Sequence, residues 1–239
     1  MNILITGGAS GLGASITRTL AKQANNNIYF TYYSSHEKAE AIQKEFPNSK
    51  GIACDFSNEA SVTQLVDMFD SLSLDVLINN AVTGFKKNHF HKLPSEYFAE
   101  SFAINIIPII RITQKAILHF RKSKFGKIIT VLSSSILNKP AIGWSEYIAQ
   151  KNYLLSLSKS WANENAPFNI TSNTISPSFM LTSLTSATDE RVIEEIINKH
   201  PLKKILTPDE VAESVAFLVG STQHINGLNL VINASEDVI

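Results

Sequence analysis

Short apolar runs alternate with helix-patterned segments along nearly the whole chain, and that alternation leaves few folds open. The strand candidates are Asn2–Thr6, Ile28–Tyr32, Gly51–Cys54, Val76–Asn79, Lys127–Leu132, Ile170–Ile175 and Leu228–Ile232. Each reads as a buried run, the pattern of a parallel strand covered on both faces. Helix starts punctuate the segments between them. Ser35 precedes Glu37–Phe46, and Ser57 precedes Glu59–Phe69. Thr207-Pro208-Asp209-Glu210 combines a capping hydroxyl, a proline in the first turn and an acid at the third position. Strand–helix alternation of this kind builds right-handed βαβ units. The expectation is an α/β fold: a Rossmann-type doubly wound sheet of about seven parallel strands flanked by helices on both faces. The 239 residues, 44% hydrophobic, suit one such domain. No repeat, low-complexity segment or linker divides them, so a single domain is expected over 1–239. The least regular stretch, 176–206, follows a strand end and is a candidate substrate lid.

Composition narrows the function classes. Twenty-one basic residues balance 21 acidic ones, and no basic stripe stands out, so nucleic-acid binding has no electrostatic support. Cys54 is the only cysteine and sits in the apolar run Gly51-Ile52-Ala53-Cys54. This excludes an internal disulfide and a cysteine-based zinc site, and it suits a reducing cytoplasm. His89 and His91 alternate without a third ligand at useful spacing, so no metal site is read. Met1 leads almost directly into Ile3-Leu4-Ile5, without the pattern of a secretory leader. No uninterrupted apolar run reaches the roughly 18 residues of a membrane span. The expected location is cytoplasmic, with no membrane partner.

Two local patterns carry chemistry. Thr6-Gly7-Gly8-Ala9-Ser10-Gly11-Leu12-Gly13 follows the first strand and opens the first helix. Glycines let the backbone turn tightly and approach a ligand. The free amides and positive dipole end of the helix attract a pyrophosphate. No G-x-x-x-x-G-K-[ST] is present, which disfavours a P-loop nucleotidase. The second pattern is Tyr147 and Lys151, four residues apart on one helix face. A fixed ammonium favours phenolate and lowers a tyrosine pKa from about 10 toward the working range of a proton-transfer group.

These two patterns, in this order, resemble the short-chain dehydrogenase/reductase family, and within it the 3-oxoacyl-carrier-protein reductases. The likeness covers essentially the whole chain. Asn79-Asn80-Ala81 resembles the family's N-N-A-G, and Cys54-Asp55-Phe56 its adenine-facing segment. Asn105 falls where the family has an active-site asparagine. Ser134 stands thirteen residues before Tyr147, the family's serine-to-tyrosine spacing. Asn173-Thr174-Ile175-Ser176-Pro177 resembles the segment that precedes the nicotinamide contacts. Pro201–Ile205 with Thr207–Ala212 resembles the late region of the carrier-protein reductases.

The resemblance implies NAD(P)H-dependent reduction of a ketone to a secondary alcohol, with a 3-oxoacyl thioester as the commonest specialisation. A sugar or secondary-metabolite ketoreductase is the alternative, and a non-catalytic nucleotide-binding regulator is the rival from another class. It implies Asn105, Ser134, Tyr147 and Lys151 as the catalytic set. It implies cofactor contacts at Gly7, Ser10, Gly11, Leu12, Gly13, Tyr33, Ser34, Asp55, Phe56, Asn80, Ala81, Tyr147, Lys151, Pro177, Met180 and Thr182. NAD-selective members carry an acid at the end of the second strand. Here that end reads Thr31-Tyr32-Tyr33-Ser34-Ser35-His36, which favours NADP(H) over NAD(H). Against this, Ser10 replaces the arginine of many NADP-selective relatives. Phe85–Lys92 is a basic, aromatic stretch that reads either as a solvated loop or as a receiver of an anionic carrier such as a phosphopantetheine, coenzyme A or a nucleotide sugar. The partner expected is a small ketone or alcohol, carried on acyl carrier protein or coenzyme A in the thioester case. Trp161 and the face Tyr153, Leu154, Leu157 continue the catalytic helix, a surface that in relatives meets a second subunit; a homotetramer or homodimer is the expectation. Family glycines are replaced in three places: by Val82, by Ser178 and by the pair Ala234-Ser235.

Overall fold

The computed structural model describes residues 1–137, 139–182, 185–186 and 188–236. Asn138, Ser183, Leu184, Ala187 and Asp237–Ile239 lie outside the described residues, so the single domain expected over 1–239 and the lid expected over 176–206 are described only in part. In chain order the elements are β1 (Asn2–Ile5), α1 (Gly11–Ala21), β2 (Asn27–Tyr32), α2 (His36–Glu45), β3 (Ser49–Ala53), α3 (Glu59–Asp67), α4 (Phe69–Leu72), β4 (Val76–Asn79), α5 (Ser95–Asn105), α6 (Ile107–Ser123), β5 (Gly126–Val131), α7 (Ser145–Asn165), β6 (Ile170–Pro177), α8 (Glu190–Lys199), α9 (Pro208–Gly220) and β7 (Asn229–Ile232). All seven strands join one parallel sheet in the order β3-β2-β1-β4-β5-β6-β7.

Side-chain alternation along each strand divides the core in two. Ile3 and Ile5 point to one face with Ile28, Phe30, Val76 and Ile78, and meet α1 and α9 through Ile16, Leu20, Val211 and Val215. Leu4, Leu77 and Ile128 point to the other, and meet α3, α6 and α7 through Leu65, Ile112, Phe120 and Leu154. Both faces are dry, which is why the strands read as continuous apolar runs rather than alternating ones. The helical stretch Ser95–Ser123 has the length and mean hydropathy (1.3) to cross a membrane. Its apolar residues Ile106, Ile109, Ile112 and Phe120 are buried in the second core, however, and they account for that hydropathy.

Helix starts follow local hydrogen bonding. At α9 the Thr207 Oγ1 accepts from the Glu210 N–H, and the Glu210 carboxylate accepts from the Thr207 N–H at 2.9 Å, a complete capping box. At α3 the cap is Asn58 rather than Ser57. Asn58 Oδ1 accepts from the amides of Ala60 and Ser61, whereas Ser57 Oγ turns back to the Asp55 carboxylate. Ser35 stands before α2 but makes no side-chain cap bond.

The order of strands reverses between β1 and β4. From there, connections run outward to either side, and a crevice opens at the carboxyl ends of these two strands. The segment 176–206 is more regular than its sequence suggests. Ser176 and Pro177 extend β6, Met180 bridges to Leu206, and α8 forms between them with no buried residue. Ala234 and Ser235, where the family has glycines, hold φ of 51° and 65°, the left-handed region that glycine favours.

Candidate active site

The glycine turn is clamped to its neighbours before any ligand arrives. Gly7 takes φ of 65°. Its amide donates to Thr31 Oγ1 at 2.9 Å, and the Gly8 amide to the Thr31 carbonyl at 2.9 Å. Thr6 Oγ1 accepts from the amides of Asn80 and Ala81, both at 2.9 Å, while Asn80 Nδ2 donates to the Thr6 carbonyl. Three strands are therefore stitched together at the turn. The amides of Gly7 and Gly8 are consumed in doing so, and the anion-binding capacity passes to the first turn of α1. Gly13 sits there so close to the turn that a Cβ on it would lie 2.0 Å from the Gly7 carbonyl oxygen.

A cavity of about 510 Å³ runs from this turn in both directions. One end is walled by Tyr33, Asp55 and Phe56, and the other by Trp144, Tyr147, Ser178 and Met180. Of the residues expected to meet a cofactor, Gly7, Ser10, Gly11, Leu12, Gly13, Tyr33, Asp55, Phe56, Asn80, Ala81, Tyr147, Lys151, Pro177, Met180 and Thr182 all line it. Ser34 does not; the side chain at this corner is Tyr33, which is 67% exposed.

Tyr147 and Lys151 sit in the first turns of α7 and share the cavity wall. The Lys151 ammonium donates to the Val131 carbonyl at 2.8 Å and lies 5.6 Å from the Tyr147 ring centre. Both are buried. Burial pushes the Tyr147 phenol up to about 12, and a hydrogen bond with Ser133 pulls the other way. Burial also lowers Lys151, to about 8. The direction at Tyr147 is thus upward, opposite to the depression expected from the lysine. The Lys151 Nζ is committed to a carbonyl rather than to the phenol.

The serine bonded to Tyr147 is Ser133, not Ser134. Ser133 is extended (φ −159°, ψ 145°) just beyond the end of β5 and faces the cavity. The next residue, Ser134, begins a short 3-10 turn and is buried outside the cavity wall. Counting thirteen back from the tyrosine lands one residue inside the turn. The signal that finds the serine beside Tyr147 is the strand end, because the side chain reaching the crevice is set by where β5 stops.

Asn105 does not line the main cavity. Its Oδ1 accepts from the Thr83 N–H (2.8 Å) and hydroxyl (2.9 Å), and its Nδ2 donates to Ser101 Oγ at 3.2 Å. Ser101 Oγ donates to Glu146 at 2.6 Å, and Gln150 Nε2 donates to both Ser101 and Glu146. This buried network ties the loop after β4 to α5 and α7. A second cavity of about 10 Å³ separates Asn105 from Lys151, room for about one water. Sequence reading missed Ser101, Glu146 and Gln150: the i,i+4 spacings of Ser101 with Asn105 and of Glu146 with Gln150 are local, but the bonds from Ser101 to Glu146 and Gln150 that join them cross from α5 to α7.

Aromatic rings cover the Tyr147 phenol. Phe85 stacks on Tyr147 with ring centres 4.8 Å apart and planes at 30°, and Trp144 meets both rings at 4.7 and 5.7 Å. The loop carrying Phe85 is pinned at two points just after it. Lys86 N–H donates to the Tyr97 hydroxyl at 2.7 Å, and Asn88 N–H to the Gly143 carbonyl at 3.1 Å. On the helix face expected to meet a second subunit, Leu154 and Trp161 instead belong to the chain's own core, whereas Tyr153 is 41% exposed.

Chemistry that needs a dinucleotide on a helix N-terminus and a buried phenol facing its far end is that of an NAD(P)-dependent oxidoreductase. Comparison with known proteins agrees. A family profile described as enoyl-(acyl carrier protein) reductase matches residues 7–234. The 3-oxoacyl-[acyl-carrier-protein] reductase FabG of Staphylococcus aureus is 30% identical, with 94% of this chain and 96% of that protein covered. An acetoacetyl-CoA reductase of Rhizobium meliloti is 32% identical over the same shares. Among solved structures, a short chain dehydrogenase of Burkholderia cenocepacia in complex with NADP superposes with a TM-score of 0.88 at 26% identity, covering 99% of this chain and 98% of that one. A 3-ketoacyl-(acyl-carrier-protein) reductase of Brucella melitensis complexed with NADH gives 0.89 at the same identity and coverage. The chain belongs to the short-chain dehydrogenase/reductase family.

Proposed function

We propose that this chain reduces a ketone to a secondary alcohol with NADP(H), and that Tyr147 donates the proton to the carbonyl oxygen. The observation that carries this reading is one buried cluster: Tyr147, bonded to Ser133 and one helical turn from Lys151, on the wall of the cavity that also holds the glycine turn. Bound NADP(H) supplies the hydride. Ser133 takes the role expected of Ser134, hydrogen-bonding the carbonyl oxygen so that charge developing there is stabilised. Lys151 holds the ribose hydroxyls and keeps a positive charge near the phenol. Asn105 fixes the small cavity beside Lys151, through which a water resupplies the proton. Phe85 and Trp144 exclude bulk water from the reacting atoms.

NADP(H) is preferred because the β2 end carries no carboxylate to repel a 2′-phosphate. The preferred substrate is a 3-oxoacyl thioester on acyl carrier protein or coenzyme A, in keeping with what the named relatives reduce. The exposed Lys87 and Lys92, in the stretch that follows β4, suit an anionic carrier. The chain acts as a single domain, with 176–206 as the segment over the substrate. It works in the cytoplasm as a homo-oligomer. A sugar or secondary-metabolite ketone is the second reading, favoured by the side chains Val82 and Ser178 on the cavity wall, where the family has glycines.

The test is a panel of ketones that includes an acetoacetyl thioester, assayed with NADPH and NADH by absorbance of the reduced cofactor. Tyr147→Phe keeps the fold and NADPH binding and loses turnover by at least about 10³-fold. Substantial residual activity in that variant overturns the assignment. Tight NADPH binding by the native chain with no oxidation by any ketone points instead to a nucleotide-binding regulator.

A further inference from the structure

Five buried side-chain polar atoms among the described residues have no hydrogen-bond partner: Asn79 Oδ1, Thr130 Oγ1, Ser145 Oγ, Ser178 Oγ and Gln223 Oε1. Ser178 alone of these residues lies on the wall of the 510 Å³ cavity. It is 7% exposed, directly beyond the end of β6, and its N–H is already committed to the Ile232 carbonyl at 2.9 Å. A serine hydroxyl offers one donor and two acceptor sites. Leaving all three unmade in a buried position costs folding free energy. Rotation of χ1 by one staggered well re-aims Oγ without moving the backbone.

The position says what could satisfy it. A dinucleotide whose pyrophosphate rests on the first turn of α1 and whose adenine lies toward Asp55 and Phe56 brings its other base to the opposite end of the cavity. That end lies between Tyr147 on α7 and the segment from Pro177 to Thr182. The nicotinamide ring carries a carboxamide, which has both a carbonyl acceptor and an N–H₂ donor. We propose that Ser178 Oγ hydrogen-bonds this carboxamide and so acts as a positioning residue for the nicotinamide ring. The inference rests on the dinucleotide reading of the site. It converts a glycine-to-serine departure from the family pattern into an added cofactor contact.

One substitution should therefore move two quantities in opposite senses. Ser178→Ala removes the unsatisfied hydroxyl, so the cofactor-free protein melts at the same temperature or higher. The same change weakens NADPH binding, followed by fluorescence titration, by roughly three- to tenfold, the equivalent of one ordinary hydrogen bond. Affinity for ADP-ribose 2′-phosphate, which lacks the nicotinamide, stays unchanged. Ser178→Gly reproduces the loss of NADPH affinity. Equal NADPH affinity in native and variant proteins overturns the proposal, as does a rise confined to the KM of the ketone. A lower melting temperature with parallel losses for both nucleotides assigns Ser178 a purely structural role and overturns it too. Failure of the native protein to bind NADPH is a different result, because it removes the dinucleotide reading itself.

Discussion

At the cofactor end of the cleft, geometry is set by main chain and by side chains that bond to main chain; at the substrate end it is set by side chains that pack on one another. Thr6, Thr31 and Asn80 fasten the glycine turn to three strands through backbone amides and carbonyls. Phe85, Trp144 and Tyr147 hold their arrangement by ring contact, supported by loops that meet at the Asn88–Gly143 bond. The first construction tolerates no added atom and leaves the ligand little freedom. The second can be rebuilt by changing a few side chains, as replacement of family glycines by Val82 and Ser178 illustrates. One end is thus held by the main chain, and the other is open to change through its side chains.

The sharpest way to break this contrast is at Gly13. Gly13→Val places carbon against the Gly7 carbonyl where a Cβ alone would be 2.0 Å away. The turn must open, so the variant loses about 3 kcal/mol or more of stability and all measurable NADPH binding. Chemical denaturation with cofactor titration reads both. Normal NADPH binding in that variant would show the cofactor end to be as adaptable as the substrate end.

A smaller effect separates neighbouring serines. Ser133→Ala lowers kcat by about 10²-fold through loss of a hydrogen bond to the reacting oxygen, whereas Ser134→Ala changes it by only a few-fold. Steady-state assays of the two variants decide which serine faces the substrate, and a reversed order would return the role to Ser134.

The smallest effect is a pH dependence at the seam between the two ends. Burial lowers Lys151 from its ordinary 10.5 to about 8, so its charge is present below pH 8 and lost above it. kcat/KM for reduction falls up to about tenfold per pH unit above 8. In the same window stability moves the other way. Between pH 8 and 10 the unfolded chain holds the lysine proton that the folded chain has released, so the folded state gains with rising pH. Tyr147, raised to about 12, reverses that trend only above pH 10. Activity and melting temperature that fall together from pH 8 to 10 would remove Lys151 as the cause.

The contrast also explains what sequence revealed. Main-chain constructions leave local marks: the glycine turn, seven apolar runs and the Thr207 capping box are each visible within a few residues. The Tyr147–Lys151 pair is visible for the same reason, since helical spacing places both on one face. The serine bonded to Tyr147 lies one position before the one that spacing selects, because the end of β5, not the distance to the tyrosine, decides which side chain reaches the cleft. Ser101, Glu146 and Gln150 were not singled out, because the bonds that make them one network link residues 45 and 49 apart across α5 and α7; the Glu146–Gln150 spacing within α7 says nothing of a partner on α5. The lysine-driven lowering of the tyrosine failed for a related reason: depth of burial, which no four-residue spacing encodes, dominates both groups.

The aromatic cluster over Tyr147 has an optical consequence. The chain has two tryptophans. Trp161, on α7, is enclosed in the core, and Trp144 lines the cleft beside the Tyr147 phenol. Emission from the first follows the integrity of the fold, while emission from the second lies within energy-transfer range of any reduced nicotinamide seated nearby. The protein thus carries separate native probes of folding and of occupancy, and replacing Trp161 by phenylalanine would leave the occupancy signal alone.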